Sequence, residues 1–333
     1  LPATDRAFRF PFQTMNALDG LHHLTAVTRD AARNLDFYTR ILGMRLVKKT
    51  VNQDDLTAYH LFYADAVGSP GTEVTFFDWR YVPQARMGSG LVTGLGLRVR
   101  DGGDPVGILN QWKGWLEGQG VACGPIMPAT EGSYPSLPFA DPEGLPLRLI
   151  AEPEGPGAFY PWKAAPVSLE SAVVGLSEVT LTVFEPEATA AFLQNVLGFR
   201  KAGPQLFETG AGGPGARLRL AASAEPGMAG AGGVHHVAWK VKDREALESW
   251  KAHLRSFGVG SSGPVDRHYF QSLYFHIPGG ILFELATEGP GFTADGESLE
   301  HLGESLALPP FLEKSREQIE AGLRPLPRPK YLE

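Results

Sequence analysis

The chain has 333 residues, 43% hydrophobic and 20% charged, with a formal net charge of −7 and a pI near 5.8. That is enough chain for two hydrophobic cores in an ordinary globular protein, and the acidic balance without a basic run argues against a nucleic-acid partner. A single cysteine, Cys123, excludes a disulfide framework and fits a reducing cytosol, and no stretch approaches the apolar length of a membrane span or the pattern of a secretory leader.

Residues 1–19 read as an N-terminal extension rather than a folded element, with Met15 standing just before the first patterned strand. From Gly20 onward one unit recurs four times. Each copy opens on a Gly and an alternating apolar strand, continues into an amphipathic helix stopped by a second Gly, and ends in short strands. The openings are GLHHLTAVT at Gly20, GLGLRVR at Gly94, GLSEVTLTV at Gly175 and GVHHVAWKV at Gly233; the stops are Gly43, Gly120, Gly198 and Gly258. Intervals of 23, 26, 23 and 25 residues from opening to stop mark an internal duplication.

Helices are predicted over Asp30–Leu42, with Leu35, Tyr38, Ile41 and Leu42 on one face, and over Glu187–Leu197, with Ala188, Phe192, Val196 and Leu197. Strands are predicted at Tyr59–Tyr63, Thr72–Phe77, Leu145–Ile150, Arg217–Leu220, Ser272–His276 and Ile281–Leu285, with turn chemistry at Asp141–Gly144 and Pro278–Gly280. The unit is thus βαβββ, and the expected fold class is α+β: four βαβββ modules forming two curved, mixed β-sheet domains. The first domain is expected over 20–152, a Pro- and Gly-rich linker over 153–172, the second domain over 173–290, and a tail over 291–333. The tail carries a short polar helix near Pro310–Ala321 and either wraps a domain edge or neighbouring subunit or docks loosely.

Alternation along a strand decides which side chains face the inside of a curled sheet. Three residues beyond the opening glycines stand His23, Leu97, Glu178 and His236. Four residues beyond the Gly that precedes each last strand stand Thr75, Arg148, Arg219 and Glu284. Only the first and fourth modules offer ligands, two His and one carboxylate, whereas Leu97, Arg148, Glu178 and Arg219 read as a salt-bridged, metal-free counterpart. His23, His236 and Glu284 are therefore expected to converge on one divalent ion. That ligand set leaves about three positions of an octahedral ion open, which suits non-haem Fe(II) admitting substrate and O₂ together. Mn(II) uses the same ligands, and zinc more often shows a closed or tetrahedral site. The competing reading is of hydrogen-bonded core histidines and an Arg-paired glutamate; an unpaired carboxylate within the apolar LFEL run would be costly.

At these residues the chain resembles the vicinal oxygen chelate superfamily of glyoxalases, bleomycin resistance proteins and extradiol dioxygenases, and more closely the ring-cleaving dioxygenases that open hydroquinones. The matching blocks are LHHLTAVT (21–28), FYTRILGMRLVKKTVNQDD (37–55), YHLFYADAVGSPGTEVTFF (59–77), VHHVAWKV (234–241), VDRHYFQSLYFHIPGGILFELATEGPGF (265–292) and LGESLALPPFLEKSREQIE (302–320). The resemblance implies a glyoxalase-like fold, Fe(II) held by His23, His236 and Glu284, and surrounding site residues His22, Thr25, His235, Arg267 and Tyr274. It also implies that the first and fourth modules pair, with the second and third pairing behind them. His276 stands where close relatives often have Arg, which bears on the ring substituents accepted. His60, His253, His268 and His301 lack a ligand-like offset and are expected at the surface or in packing.

The implied reaction is O₂-dependent cleavage of a para-diol ring beside a hydroxyl-bearing carbon, giving a semialdehyde, or an acyl halide from a halogenated carbon. The implied partners are a small aromatic diol and O₂, with no nucleic acid and no membrane, in a cytoplasmic homo-oligomer. Three other readings compete. A catechol-cleaving extradiol dioxygenase would prefer ortho-diols. A glyoxalase-like isomerase or thiol transferase expects four ligands with Zn or Ni, and the missing carboxylate at Thr75 counts against it. A phenol- or drug-sequestering protein would bind without metal.

Overall fold

The structure, a computed structural model, describes residues 17–130, 132–153 and 159–329, so the expected N-terminal extension lies outside the described residues up to residue 16. The first module comprises β1 (Leu21–Thr28), α1 (Ala31–Asp36), β2 (Arg45–Asn52), β3 (Asp55–Ala64) and β4 (Glu73–Asp78). The second comprises β5 (Leu91–Arg100), α2 (Pro105–Gly118), β6 (Ser136–Ala140) and β7 (Pro146–Glu152). The third holds β8 (Val173–Val183), α3 (Pro186–Asn195), β9 (Arg200–Lys201), β10 (Leu206–Glu208) and β11 (Arg217–Ala222). The fourth holds β12 (Val234–Val241), α4 (Arg244–Ser256), β13 (Val265–Asp266), β14 (Phe270–His276) and β15 (Leu282–Pro290).

Two departures from the ideal βαβββ pattern have local causes. In the second module the first strand after the helix shrinks to single pairings of Cys123 with Phe139 and Met127 with Ser136. Pro125 and Pro128 there have no N–H to give to a ladder. In the first module the expected helix Asp30–Leu42 begins as predicted, with Asp30 accepting from the Arg33 N–H, but widens into a π-turn over Phe37–Ile41. The wider turn seats Tyr38 in a stack on Tyr63 at 5.1 Å between ring centroids, and Gly43, at φ 73°, then stops the helix as expected.

The strands form two mixed sheets. The eight-stranded sheet has the order β13-β14-β15-β12-β1-β4-β3-β2, and the seven-stranded sheet the order β6-β7-β5-β8-β11-β10-β9. Antiparallel pairing of β1 with β12 joins the first module to the fourth, and that of β5 with β8 joins the second to the third. Each chain half, 20–152 and 173–290, therefore gives one module to either sheet. The module openings tie the sheets together. The Leu21 N–H donates to the Gly215 carbonyl and the Leu176 N–H to that of Gly71. A Cβ at Gly20 would meet Gly215 O at 2.7 Å, which is why a glycine opens the strand there.

Among the described residues no helix is long and apolar enough to cross a membrane. The tail covers β2 at the sheet edge: the Ala307 N–H donates to the Lys49 carbonyl, and Ile319 and Leu323 join the core. Its short helix is α5 (Arg316–Gly322), preceded by a 3₁₀ turn at Glu313–Ser315. Lys48, fully buried on β2, is held by Asp295 at 2.7 Å and Glu297 at 2.5 Å, both from the tail.

Candidate metal centre and cavity

At the centre of the eight-stranded sheet, β1 and β12 run side by side, with β4 and β15 parallel to them on either flank. His23 projects from β1, His236 from β12 and Glu284 from β15, all at most 4% exposed. His23 Nε2 lies 3.2 Å from His236 Nε2 and 3.3 Å from Glu284 Oε2, and His236 Nε2 lies 2.9 Å from the same oxygen. Ligand bonds of about 2.1 Å at right angles would set donor atoms about 3.0 Å apart, so the triangle has the dimensions of one face of an octahedral ion.

The carboxylate is the sharper indication. Ser272 donates to Glu284 Oε1, whereas Oε2, wholly enclosed and close to two imidazole nitrogens, forms no hydrogen bond of acceptable geometry among the described residues. Burial pushes the Glu284 carboxyl up, but His23 and His236 draw it down further, leaving it well below the usual carboxylate range. An ionised oxygen and two lone-pair nitrogens enclosed together call for a cation, and these residues form a group that could hold one.

Adjacent strand residues normally face opposite ways, yet the first member of each His pair stays beside the second, His22 buried and His235 exposed on the cavity wall. The ladder explains it. Leu21 and His23 lie opposite Trp239 and Ala238, leaving His22 as an extra residue on β1; Thr25 and Ala26 lie opposite His236 and Val234, leaving His235 extra on β12. Each pair thus sits in a β-bulge, which re-aims a side chain beside a functional site. His22 Nε2 donates to the Thr287 carbonyl at 3.1 Å, because that oxygen can only accept. Its Nδ1 must then accept from the His23 Nδ1–H, 2.9 Å away, which leaves the His23 Nε2 lone pair facing Glu284. His235 Nδ1 likewise lies 2.7 Å from His236 Nδ1. Burial and the neighbouring His23 bring His22 down to about 3, and burial and His236 do the same for His235. Both rings are neutral at pH 7.

Glu73, which the sequence reading missed, is buried behind this pair with Oε2 3.8 Å from His22 Nδ1. Burial, Asp65 and Glu284 hold its carboxyl well above the ordinary value. With His22 and His23 it makes a second group of possible ligands, but the Nδ1 atoms of those two rings already face each other at 2.9 Å.

In front of the three donors opens a cavity of about 230 Å³, walled by Phe62, Phe77, Trp79, Tyr269 and Phe270. Arg267, Tyr274 and His235 also line it. Arg267 Nε donates to the Tyr274 hydroxyl at 3.2 Å, and its Nη2 pairs with Asp54 at 3.0 Å. Burial and Glu284 raise the Tyr274 phenol above its ordinary value, so it stays protonated. Thr25 does not reach the cavity: it is wholly buried, with its hydroxyl 2.8 Å from that of Thr75. His276, expected to bear on ring substituents, is exposed and lies outside this cavity. His60, expected at the surface or in packing, is a cavity residue. An offset count from the opening Gly could not find it, because it stands on β3, two strands from His23. In the other sheet, Glu178 is gripped by Arg148 and by Arg219 at 3.2 Å, and Leu97 is buried: the salt bridges that the spacing predicted.

Fold and site together define the class. Residues 20–145 and 175–285 match the Glyoxalase/Bleomycin resistance protein/Dioxygenase superfamily, and the chain belongs to it. A Bacillus subtilis protein provisionally named ring-cleaving dioxygenase MhqA is 41% identical over 320 residues, covering 93% of this chain and 99% of its own. The chlorohydroquinone/hydroquinone 1,2-dioxygenase of Sphingobium indicum is 31% identical over 319 residues, covering 92% of this chain and 96% of its own. A solved Bacillus subtilis structure, provisionally described as a dioxygenase, matches with a TM-score of 0.84 at 36% identity, covering 94% of this chain and 99% of that one.

Proposed function

We propose that the protein is an Fe(II)-dependent dioxygenase that opens hydroquinone-type rings with O₂, the ion being held by Nε2 of His23, Nε2 of His236 and Oε2 of Glu284. The observation that carries this reading is the triangle of 2.9–3.3 Å between those atoms, enclosed in the sheet yet opening on an aromatic-walled cavity. A relative named for chlorohydroquinone and hydroquinone supports a para-diol substrate, and the lone thiol Cys123 supports a cytosolic setting.

Bound there, Fe(II) would supply open coordination positions and a one-electron route between an electron-rich ring and O₂. The protein's own groups account for the rest. Phe62, Phe77, Trp79 and Phe270 present flat apolar surfaces that clasp a ring and exclude water. The Tyr274 oxygen accepts from Arg267 beside the Ser272 hydroxyl, and its own hydrogen can turn to a substrate oxygen in the cavity. His235 Nδ1 accepts from the His236 Nδ1–H, so His235, neutral and on the cavity wall, keeps its Nε2–H to donate to a substrate oxygen. Asp54 balances the Arg267 charge. In the net reaction the ring bond beside a hydroxyl-bearing carbon breaks, both oxygen atoms enter the semialdehyde product, and no outside reductant is consumed.

Anaerobic reconstitution with Fe(II), followed by oxygen-electrode assays with hydroquinone, methyl- and chlorohydroquinone and catechol, tests the reading. Oxygen uptake matching para-diol consumed, and faster than with catechol, is expected. Turnover by chelated protein, or uptake with catechol alone, would sink it.

A further inference from the structure

Three side chains on adjacent strands form a hydrogen-bonded line leading into the cavity. Thr25 Oγ1 on β1 lies 2.8 Å from Thr75 Oγ1 on β4, which lies 2.9 Å from His60 Nε2 on β3. Both threonines are wholly buried. The His60 ring is clamped by Phe62 and Phe77, with centroids 3.9 and 4.5 Å away. Its other nitrogen, Nδ1, has no hydrogen-bond partner among the described residues, yet is not one of the fully enclosed orphan atoms. For a residue that lines the cavity, the open side is the cavity.

Counting hydrogens gives the line a direction. If His60 Nε2–H donated to Thr75, either the Thr25 or the Thr75 hydroxyl hydrogen would be left wholly buried with no acceptor among the described residues. Run the other way, Thr25 donates to Thr75 and Thr75 donates to the Nε2 lone pair, so both buried hydroxyl hydrogens are used. Folded proteins avoid stranded buried donors, which selects the second arrangement. A neutral imidazole that accepts at Nε2 carries its hydrogen on Nδ1. Burial, with His23 and His236 acting in the same direction, keeps the ring neutral.

We propose that His60 is a substrate-positioning residue whose Nδ1–H donates to an oxygen of a phenol in the cavity, its tautomer being set by the Thr25–Thr75 hydroxyl pair. The inference rests on the reading of the cavity as a phenol site. It gives Thr25 a part in that site although Thr25 never touches it. No family offset points to His60; the line of hydroxyls behind it does.

Two measurements test it. Proton–nitrogen correlation spectra of histidine-labelled protein, with His60 assigned by its loss in His60→Asn, are expected to show hydrogen on Nδ1 and a bare Nε2. The opposite tautomer overturns the proposal. The second is anaerobic titration of the Fe(II)-loaded protein with methylhydroquinone, followed by tryptophan fluorescence. An Asn amide stands near the place of Nδ1 and a Gln amide near that of Nε2. His60→Asn is therefore expected to bind within about threefold of wild type, and His60→Gln and Thr75→Val to bind about tenfold more weakly, the worth of one hydrogen bond. Equal binding by the Asn and Gln variants overturns it. If methylhydroquinone binds neither wild type nor variants, the proposed function fails instead, and the tautomer is still decided by the spectrum.

Discussion

The two sheets are the same pair of modules joined the same way, through an antiparallel contact between opening strands. Both keep a bulge at that contact: Gly96 and Leu97 face Glu178 and Leu176, leaving Ser177 as the extra residue where the first sheet has His22. They part in how a buried carboxylate on the inner face is answered. In the seven-stranded sheet Glu178 faces two tethered guanidinium groups, Arg148 and Arg219. In the eight-stranded sheet Glu284 faces two imidazoles and keeps one oxygen without a hydrogen bond. Tethered charge closes a site, whereas two neutral donors and an acid leave a place for an ion and, beyond it, a substrate. The carboxylates behind the bulges agree: Ser177 donates to Glu152, which burial raises to about 7, and burial holds Glu73, behind His22, well above its ordinary value.

The contrast is broken most severely at the proposed ligands. His236→Ala should weaken divalent-metal binding by roughly 10²–10³-fold, about a third of a site's binding free energy, and abolish oxygen uptake. Glu178→Ala should leave metal binding unchanged. It should instead cost about 1–3 kcal/mol of stability in denaturant melts, since its half-exposed arginines retain water. Next comes Glu152. Its folded-state value of about 7 lies above the ordinary 4.5, so the folded protein keeps a proton that the unfolded chain releases. That contribution is complete below pH 4.5 and is lost as pH rises through 7. Compared with wild type, Glu152→Gln should therefore gain stability with rising pH, by on the order of 2–3 kcal/mol at pH 8. A difference that does not vary with pH would refute the assignment. The smallest effects belong to the bulge residues. His22→Ala should lower metal affinity about 10–100-fold through loss of the bond that orients His23, while Ser177→Ala should cost only about 1 kcal/mol of stability and no metal.

Much of this was legible in the sequence because duplication makes offsets comparable. His23, His236 and Glu284, the proposed ligands that the fold brings together, stood out in two fourfold series, and the salt-bridged set at Arg148, Glu178 and Arg219 came from the same count. What stayed hidden depends on contacts between distant segments. A period of two puts His22 and His235 on the wrong face, and only the register of β1 against β12 reveals the bulges. His60 and Glu73 reach the site from strands that carry no expected ligand. The run RLVKKTVN looks half polar, yet β2 is almost wholly buried, because the tail brings Asp295 and Glu297 to Lys48 and backbone carbonyls to Arg45.

Anaerobic calorimetric titration with Fe(II) measures the central asymmetry directly. One ion per chain is expected for the wild type and for Glu178→Gln, and none for Glu284→Gln. An ion still bound with wild-type affinity by Glu284→Gln, or a second ion lost with Glu178, would contradict it.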